Sequence, residues 1–180
     1  MATSTLTEAR ERAAIIRNQQ SDLLASIPLR TLHIGLWIRS DPPRPNDFHW
    51  GFYLHTSSTS GMKYHISSLT GGFVPEHGPN SVLQSNFFCV LIQIASVPET
   101  SLALLDRTVR AYDEDLNRIP GVTCRVWLLV ILEKLVQARI VRCGNLRALE
   151  DECMALGNEH SVSAAVNEQP RPVVLSRLCT

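Results

Sequence analysis

Cys124 is the residue whose sequence context best suits nucleophilic chemistry. It follows Thr123, a good helix N-cap residue, so Cys124 is expected in the first turn of a helix. A thiol there is close to the positive end of the helix dipole and to unpaired backbone N–H groups, and both favour the reactive thiolate. The context predicts Cys124 as a candidate catalytic nucleophile. The alternative is a packed helix residue, since free cysteine is often a small buried hydrophobe.

A strand predicted over 48–55 carries two histidines that could act on this thiol. Because side chains alternate along a strand, His49, Tyr53 and His55 share one face, with Gly51 between them. The other face of the strand carries aromatic side chains, so we expect that face to pack on the core. The face with the histidines would then border a cleft or solvent. We therefore expect His49 to be catalytic and Tyr53 and His55 to bind substrate.

His65, on a second strand predicted over 62–68, is the remaining candidate catalytic residue. It faces the same side as His49 only if the numbers of cross-strand partners sum to an even value, because a shift of one residue reverses every side chain. The length of the intervening turn leaves both registers open. In a Cys–His mechanism the second histidine would orient the first.

The remaining pattern predicts the elements that must position these residues. Helices are predicted over 5–26, 98–113, 123–139 and 145–156, and strands over 31–38, 48–55, 62–68, 86–96 and 173–175. Residues 69–85 are rich in glycine and proline and are interpreted as a long loop, a candidate lid or pocket wall. The order predicts an α+β fold with an antiparallel sheet of about four to five strands packed against helices.

The length of 180 residues suits a single domain over 1–180. Within it we distinguish an N-terminal helical arm over 1–28, a catalytic-like core over 31–139, and a C-terminal helix and tail over 140–180. The arm could pack on the body of the protein or on a second copy, which makes a homodimer through this helix possible.

Composition narrows the possible partners and location. Lys+Arg and Asp+Glu both total 17, so no net charge indicates a nucleic acid or an anionic membrane as partner. The apolar stretches are too short to span a bilayer, and no secretory signal is recognised. Five widely spaced cysteines indicate reduced thiols and a cytoplasmic protein. The spacing of the cysteines and histidines fits no zinc site, so we expect no bound metal. We also expect no cofactor. The expected partner is a small-molecule substrate.

The order of a His-Trp strand, a second strand with a histidine and a cysteine that opens a helix resembles the circularly permuted papain-like proteins. The lecithin:retinol acyltransferase-like group is their best-known branch. The resemblance implies that His49 is the general base, His65 its orienting group and Cys124 the nucleophile that forms a thioester. At the helix this chain has Thr-Cys-Arg-Val-Trp where that group usually has Asn-Cys-Glu-His-Phe.

Three functions are compatible with these residues. The first is a cysteine-dependent hydrolase or acyltransferase acting on an ester, thioester or amide of a small molecule. The second is a non-covalent cyclase or isomerase of natural-product biosynthesis with a histidine as general acid or base. The third is a binding or scaffold protein without catalysis.

The chain also looks like uncharacterised fungal proteins with a His-Trp strand and a Cys-x-x-Trp helix start. Some of those look like members of biosynthetic gene sets, which implies secondary metabolism.

Overall fold

The computed structural model describes residues 2–69 and 71–179 and contains four helices and six strands in that part of the chain. The helices are α1 (Ala2–Ser26), α2 (Leu102–Val109), α3 (Cys124–Gln137) and α4 (Leu146–Ala165). The strands are β1 (Thr31–Ile38), β2 (Phe48–Ser57), β3 (Ser60–Leu69), β4 (Gly72–Asn80), β5 (Phe88–Ser96) and β6 (Val173–Leu175). Short 3₁₀ turns lie at Val82–Gln84, Glu99–Ser101 and Leu116–Arg118.

The strands form one sheet in the order β4-β3-β2-β1-β5-β6, antiparallel except for the parallel β5–β6 pair. This confirms the predicted α+β class. The described sheet has six strands rather than four to five, because residues 72–80 form β4 instead of a loop. In the part of the chain that the structure describes, β4 pairs only with β3, with Pro75 opposite Ile66 and Pro79 opposite Met62. An edge strand tolerates proline, since its outer side needs no backbone donor.

The two faces of the sheet are covered differently. On one face α3 and α4 pack on the apolar side chains of the central strands, with Phe52 edge-on to Trp127 at 5.9 Å between ring centroids. On the other face the end of α1 and the turn at 82–84 cover a smaller cluster around Trp37 and Tyr53. The larger core therefore lies between the sheet and the helices, as the aromatic face of β2 predicts.

Helix α4 is longer than the predicted 145–156. The predicted helix stops at residue 156, just before Gly157, whereas the helix in the structure continues to Ala165. A Cβ on Gly157 would lie 2.7 Å from the ring of Phe48, so this glycine allows α4 to approach the sheet closely. The predicted helix over 98–113 is also shorter, with α2 confined to Leu102–Val109 between turns.

The N-terminal arm is attached to the rest of the protein through its last turns. Leu24 and Ile27 are buried in the smaller cluster, and the side-chain amide of Gln20 donates to the carbonyl of Leu83 at 3.0 Å. Ile15, nearer the start, is 57 % exposed. Dimerisation through this helix stays a prediction. Among the described helices, none combines the length and apolar character needed to cross a membrane.

Candidate functional site

His49 and His65 are hydrogen-bonded to each other. Nε2 of His49 lies 2.9 Å from Nδ1 of His65, and the two rings are nearly perpendicular. Phe52 pairs with Tyr64 across β2 and β3, a register of even sum that places both histidines on the same face. The structure thus selects one of the two registers that the sequence left open. We refer to His49 and His65 as the histidine pair.

The histidine pair lies where β2 and β3 stop pairing. Their described ladder ends at Phe52 and Tyr64, although β2 continues beside β1 and β3 continues beside β4. Gly51 provides the space for the rings, because a Cβ there would lie 3.1 Å from the Cβ of His65. Both rings are partly accessible rather than sealed in the core. The histidine pair therefore lies beyond the last paired residues of β2 and β3, with both rings partly exposed.

Charged side chains surround the histidine pair. The ammonium of Lys63 lies 4.3 Å from the centroid of the Trp37 ring, which also packs on His49. The carboxylate of Glu76, directly across from His65 on β4, approaches Nε2 of His65 to 3.8 Å. A pocket of ≈ 340 Å³ is lined by Lys63, His65, Glu76 and residues 77–80, which is within the size range of small-molecule sites.

Burial and nearby positive charge keep both histidines neutral near pH 7. Burial, followed by the charges of Lys63 and Arg39, lowers the pKa of His49 to about 4. Burial, followed by the charge of Lys63, lowers the pKa of His65 to about 3. Since two neutral imidazoles share the hydrogen bond, one ring supplies an N–H and the other a lone pair. Burial also lowers the pKa of Lys63.

His77 fixes the backbone that carries His65. The backbone N–H of His65 donates to Nδ1 of His77 at 3.2 Å, and Nε2 of His77 donates to the carboxylate of Asp113 at 3.1 Å. These two bonds occupy both ring nitrogens and set the tautomer of His77. This histidine therefore positions β3 and has no free nitrogen to act as a base.

Sequence reasoning missed Lys63, Glu76 and His77. Lys63 could have been found from the alternation of β3, because it stands two residues before His65 and shares its face. Glu76 and His77 lie in the segment that was interpreted as a loop. No local pattern indicates their positions, because the pairing of β4 with β3 places them beside the site.

Cys124 does not meet the histidine pair. Thr123 caps α3 as predicted, accepting the N–H of Val126 at 3.1 Å, and Cys124 is the first residue of the helix. The thiol, however, belongs to the core between the sheet and α3, whereas the histidine pair lies on the opposite face. Within the described residues Cys124 has no hydrogen bond to any imidazole. The predicted Cys124–His49 contact is therefore absent.

Tyr53 and His55 are also displaced from their predicted setting. Both side chains are fully buried beneath the end of α1, and the hydroxyl of Tyr53 lies 3.1 Å from Nδ1 of His55. A Cβ on Gly61 would lie 2.6 Å from the Tyr53 ring, so glycine permits this packing. These residues share a face with His49, but the covering helix removes them from solvent. They are part of the smaller core and not of an accessible binding surface.

No curated protein and no solved structure matches this chain. A family model matches residues 30–142, which include β1 to β5, α2 and α3. The histidine pair, Lys63, Glu76 and Cys124 all lie within the matched residues. Since the match covers more than half of the chain, the protein belongs to DUF6540, a family of unknown function.

Proposed function

We propose that this protein is an enzyme that moves a proton on a small anionic molecule by general acid–base catalysis, as an isomerase or cyclase does. The observation that carries the proposal is the 2.9 Å contact between Nε2 of His49 and Nδ1 of His65, two partly exposed rings. Two neutral, partly accessible imidazoles beside a carboxylate and an ammonium form an acid–base relay. The reaction needs no covalent intermediate.

The surroundings of His65 assign the tautomers of the pair. The carboxylate of Glu76 favours a proton on Nε2 of His65, so Nδ1 of His65 is left to accept the Nε2–H of His49. Nδ1 of His49 then carries a lone pair and has no hydrogen-bond partner within the described residues. In this assignment His49 takes the substrate proton at Nδ1, and His65 stabilises the resulting imidazolium through the shared hydrogen bond.

The positive charges beside the pair favour an anionic substrate. Burial, with a further contribution from the charges of Lys63 and Arg39, lowers the pKa of His49 to about 4, which makes His49 a weak base in the free enzyme. A substrate carboxylate held by Lys63 would offset the contribution of these charges and raise the pKa of His49. A general base is most effective when its pKa is close to the working pH, so substrate binding would itself prepare the base.

The cysteine-dependent hydrolase or acyltransferase, with a permuted papain-like arrangement, has weaker support. That mechanism needs the Cys124 sulfur within hydrogen-bond reach of a base. Here the sheet separates Cys124 from His49, and His77 uses both of its nitrogens elsewhere. A binding protein without catalytic activity is the other alternative.

We also propose that the protein is cytoplasmic. All five cysteines are free thiols in the structure, which suits that reducing compartment.

Proton abstraction from simple 2-oxo acids provides the test. Purified protein is incubated in deuterium oxide with a panel of 2-oxo acids, and loss of the C3 proton signal is followed by NMR. We expect exchange faster than in buffer, slowed by roughly 100-fold or more in His49→Gln and His65→Gln, as loss of a general base predicts. Lys63→Met should mainly weaken binding of the acid, because it keeps the stem and removes the charge.

Cys124→Ala separates the mechanisms. Exchange that persists in Cys124→Ala and disappears in both histidine variants supports the acid–base proposal. Loss of exchange in Cys124→Ala, with the fold intact by circular dichroism, would instead indicate a thiol mechanism. Exchange no faster than with the heat-denatured protein across the whole panel would count against the proposal and in favour of a binding role.

A further inference from the structure

Cys143 and Cys179 are brought together although 36 positions separate them in the sequence. Cys143 follows α3, Cys179 is near the C-terminus, and the two residues pair directly as an isolated antiparallel bridge. Residues paired in this way have Cβ atoms about 4.5–5.5 Å apart. That separation is close to the range that a disulfide requires, so little backbone movement is needed to join the two sulfurs.

The two thiols differ in access. Cys143 is partly exposed, whereas Cys179 is buried. Burial, followed by the neighbouring Cys143 thiol, raises the pKa of Cys179 to about 12. A third thiol, Cys153 on α4, is fully buried, and burial raises its pKa as well. An oxidant in solution would therefore meet Cys143 first.

We propose that Cys143 and Cys179 are a redox modification site that forms a reversible disulfide with a low-molecular-weight disulfide such as oxidised glutathione. The Cys143 thiolate attacks one glutathione sulfur, the glutathione S–S bond breaks, and one glutathione thiolate leaves. The Cys179 thiolate then attacks the Cys143 sulfur and releases the second glutathione. The protein loses two protons and two electrons, and glutathione disulfide is reduced to two glutathione molecules.

The bond would add a covalent attachment to a C-terminal segment that is otherwise held by hydrogen bonds and packing. β6 contributes only three residues to the sheet. Beyond it, the hydroxyl of Ser176 and the backbone N–H of Arg177 both donate to the carboxylate of Glu152, at 2.6 and 2.8 Å. Cys179 also lines a pocket of ≈ 590 Å³ with residues 93–96 of β5, so the disulfide would fix one wall of that pocket. Closing this long loop restricts the unfolded chain.

The reaction can be measured on the whole protein. Reduced protein is equilibrated with defined ratios of reduced to oxidised glutathione and then quenched with N-ethylmaleimide in denaturant, so that buried thiols also react. The number of alkylated thiols is counted by intact mass spectrometry. We expect two fewer alkylated thiols in oxidised wild type, a Cys143–Cys179 cross-linked peptide after digestion, and a melting temperature higher by about 5–10 °C. Cys153→Ala is the matched control and should behave like wild type.

The variants distinguish this pair from other thiol pairs. Cys179→Ser should stop at a glutathione adduct on Cys143, and Cys143→Ser should keep all of its remaining thiols alkylatable. Circular dichroism of the reduced variants verifies that each is folded. A cross-link to Cys153, five alkylatable thiols at every glutathione ratio, or an oxidised form that melts no higher than the reduced form would each overturn the proposal.

Discussion

Protonation of His33 should destabilise the fold as the solution becomes acidic. His33 lies on β1 with 0 % of its surface exposed, and its Nε2 has no hydrogen-bond partner within the described residues. Burial lowers its pKa from 6.5 to about 4, partly offset by a 3.4 Å contact of Nδ1 with the carbonyl of Tyr53. The folded state therefore keeps this ring neutral over a range in which the unfolded chain binds a proton.

The direction and size of the change in stability with pH follow from the folded and unfolded pKa values of His33. Well above pH 6.5 neither state binds the proton, and the contribution of neutral His33 to stability is fully present. As the pH falls towards 4 the unfolded state gains the proton first, so stability is lost. The loss is about 2 kcal/mol between pH 7 and pH 5, and about 3 kcal/mol in full. This is a substantial part of the 5–15 kcal/mol that is typical of a folded domain.

His33→Leu removes the titrating ring and isolates its effect from that of other histidines. Urea unfolding followed by tryptophan fluorescence gives the free energy of unfolding at pH 7, 6 and 5. We expect the variant to gain about 2 kcal/mol relative to wild type between pH 7 and pH 5. Thr31→Val, which removes a buried hydroxyl that donates to Pro28 at 2.6 Å, is the control and should differ from wild type by a constant amount.

Parallel pH dependence of wild type and His33→Leu would refute this reasoning. It would mean that water or a local rearrangement satisfies the charged ring in the folded state, so that burial carries no penalty. A relative gain of the expected size would instead show that a buried imidazole in this sheet is kept neutral by its surroundings. The same physical effect, at lower burial, acts on the histidine pair.

Two further predictions concern the helices. Gly157→Ala should lower the free energy of unfolding by about 1–3 kcal/mol in urea, because its Cβ would lie 2.7 Å from the Phe48 ring. Gly144→Ala, whose Cβ would meet nothing within 4 Å, should be close to neutral, and equal losses would contradict the packing argument. Thr123→Ala should cost about 1 kcal/mol by removing the cap on the Val126 N–H, and Thr123→Ser should restore most of it.

Much of the fold could be predicted from local pattern. β1 and β5 are apolar runs that become interior strands of the sheet, and Thr123 before an apolar helix correctly marks the start of α3. β4 could not be predicted in this way, because prolines and glycines are typical of loops. It becomes a strand because it occupies the sheet edge, a tertiary position that its own residues do not specify.

The candidate site was predictable only in part. The sequence did not determine the register between β2 and β3, and it did not show which part of the sheet α1 buries. Whether His49 and His65 share a face depends on a turn whose length permits either parity, and only the Phe52–Tyr64 pairing decides it. That Tyr53 and His55 are buried depends on where α1 ends against the sheet. Alternation along β2 correctly grouped these side chains on one face but did not reveal which end of that face stays accessible.

The separation of Cys124 from His49 was already implied by two features of the sequence taken together. The aromatic face of β2 identifies the core side of the sheet, and the wide apolar stripe of α3 requires that helix to pack on a core. α3 therefore covers the aromatic face, and a thiol on its buried side lies across the sheet from the histidines, as the 5.9 Å contact of Phe52 with Trp127 shows. A cysteine at a helix start and a histidine on a strand can pair only when the histidine shares the face that the helix covers. In this protein the histidines instead pair with each other, which favours acid–base chemistry over a thiol nucleophile.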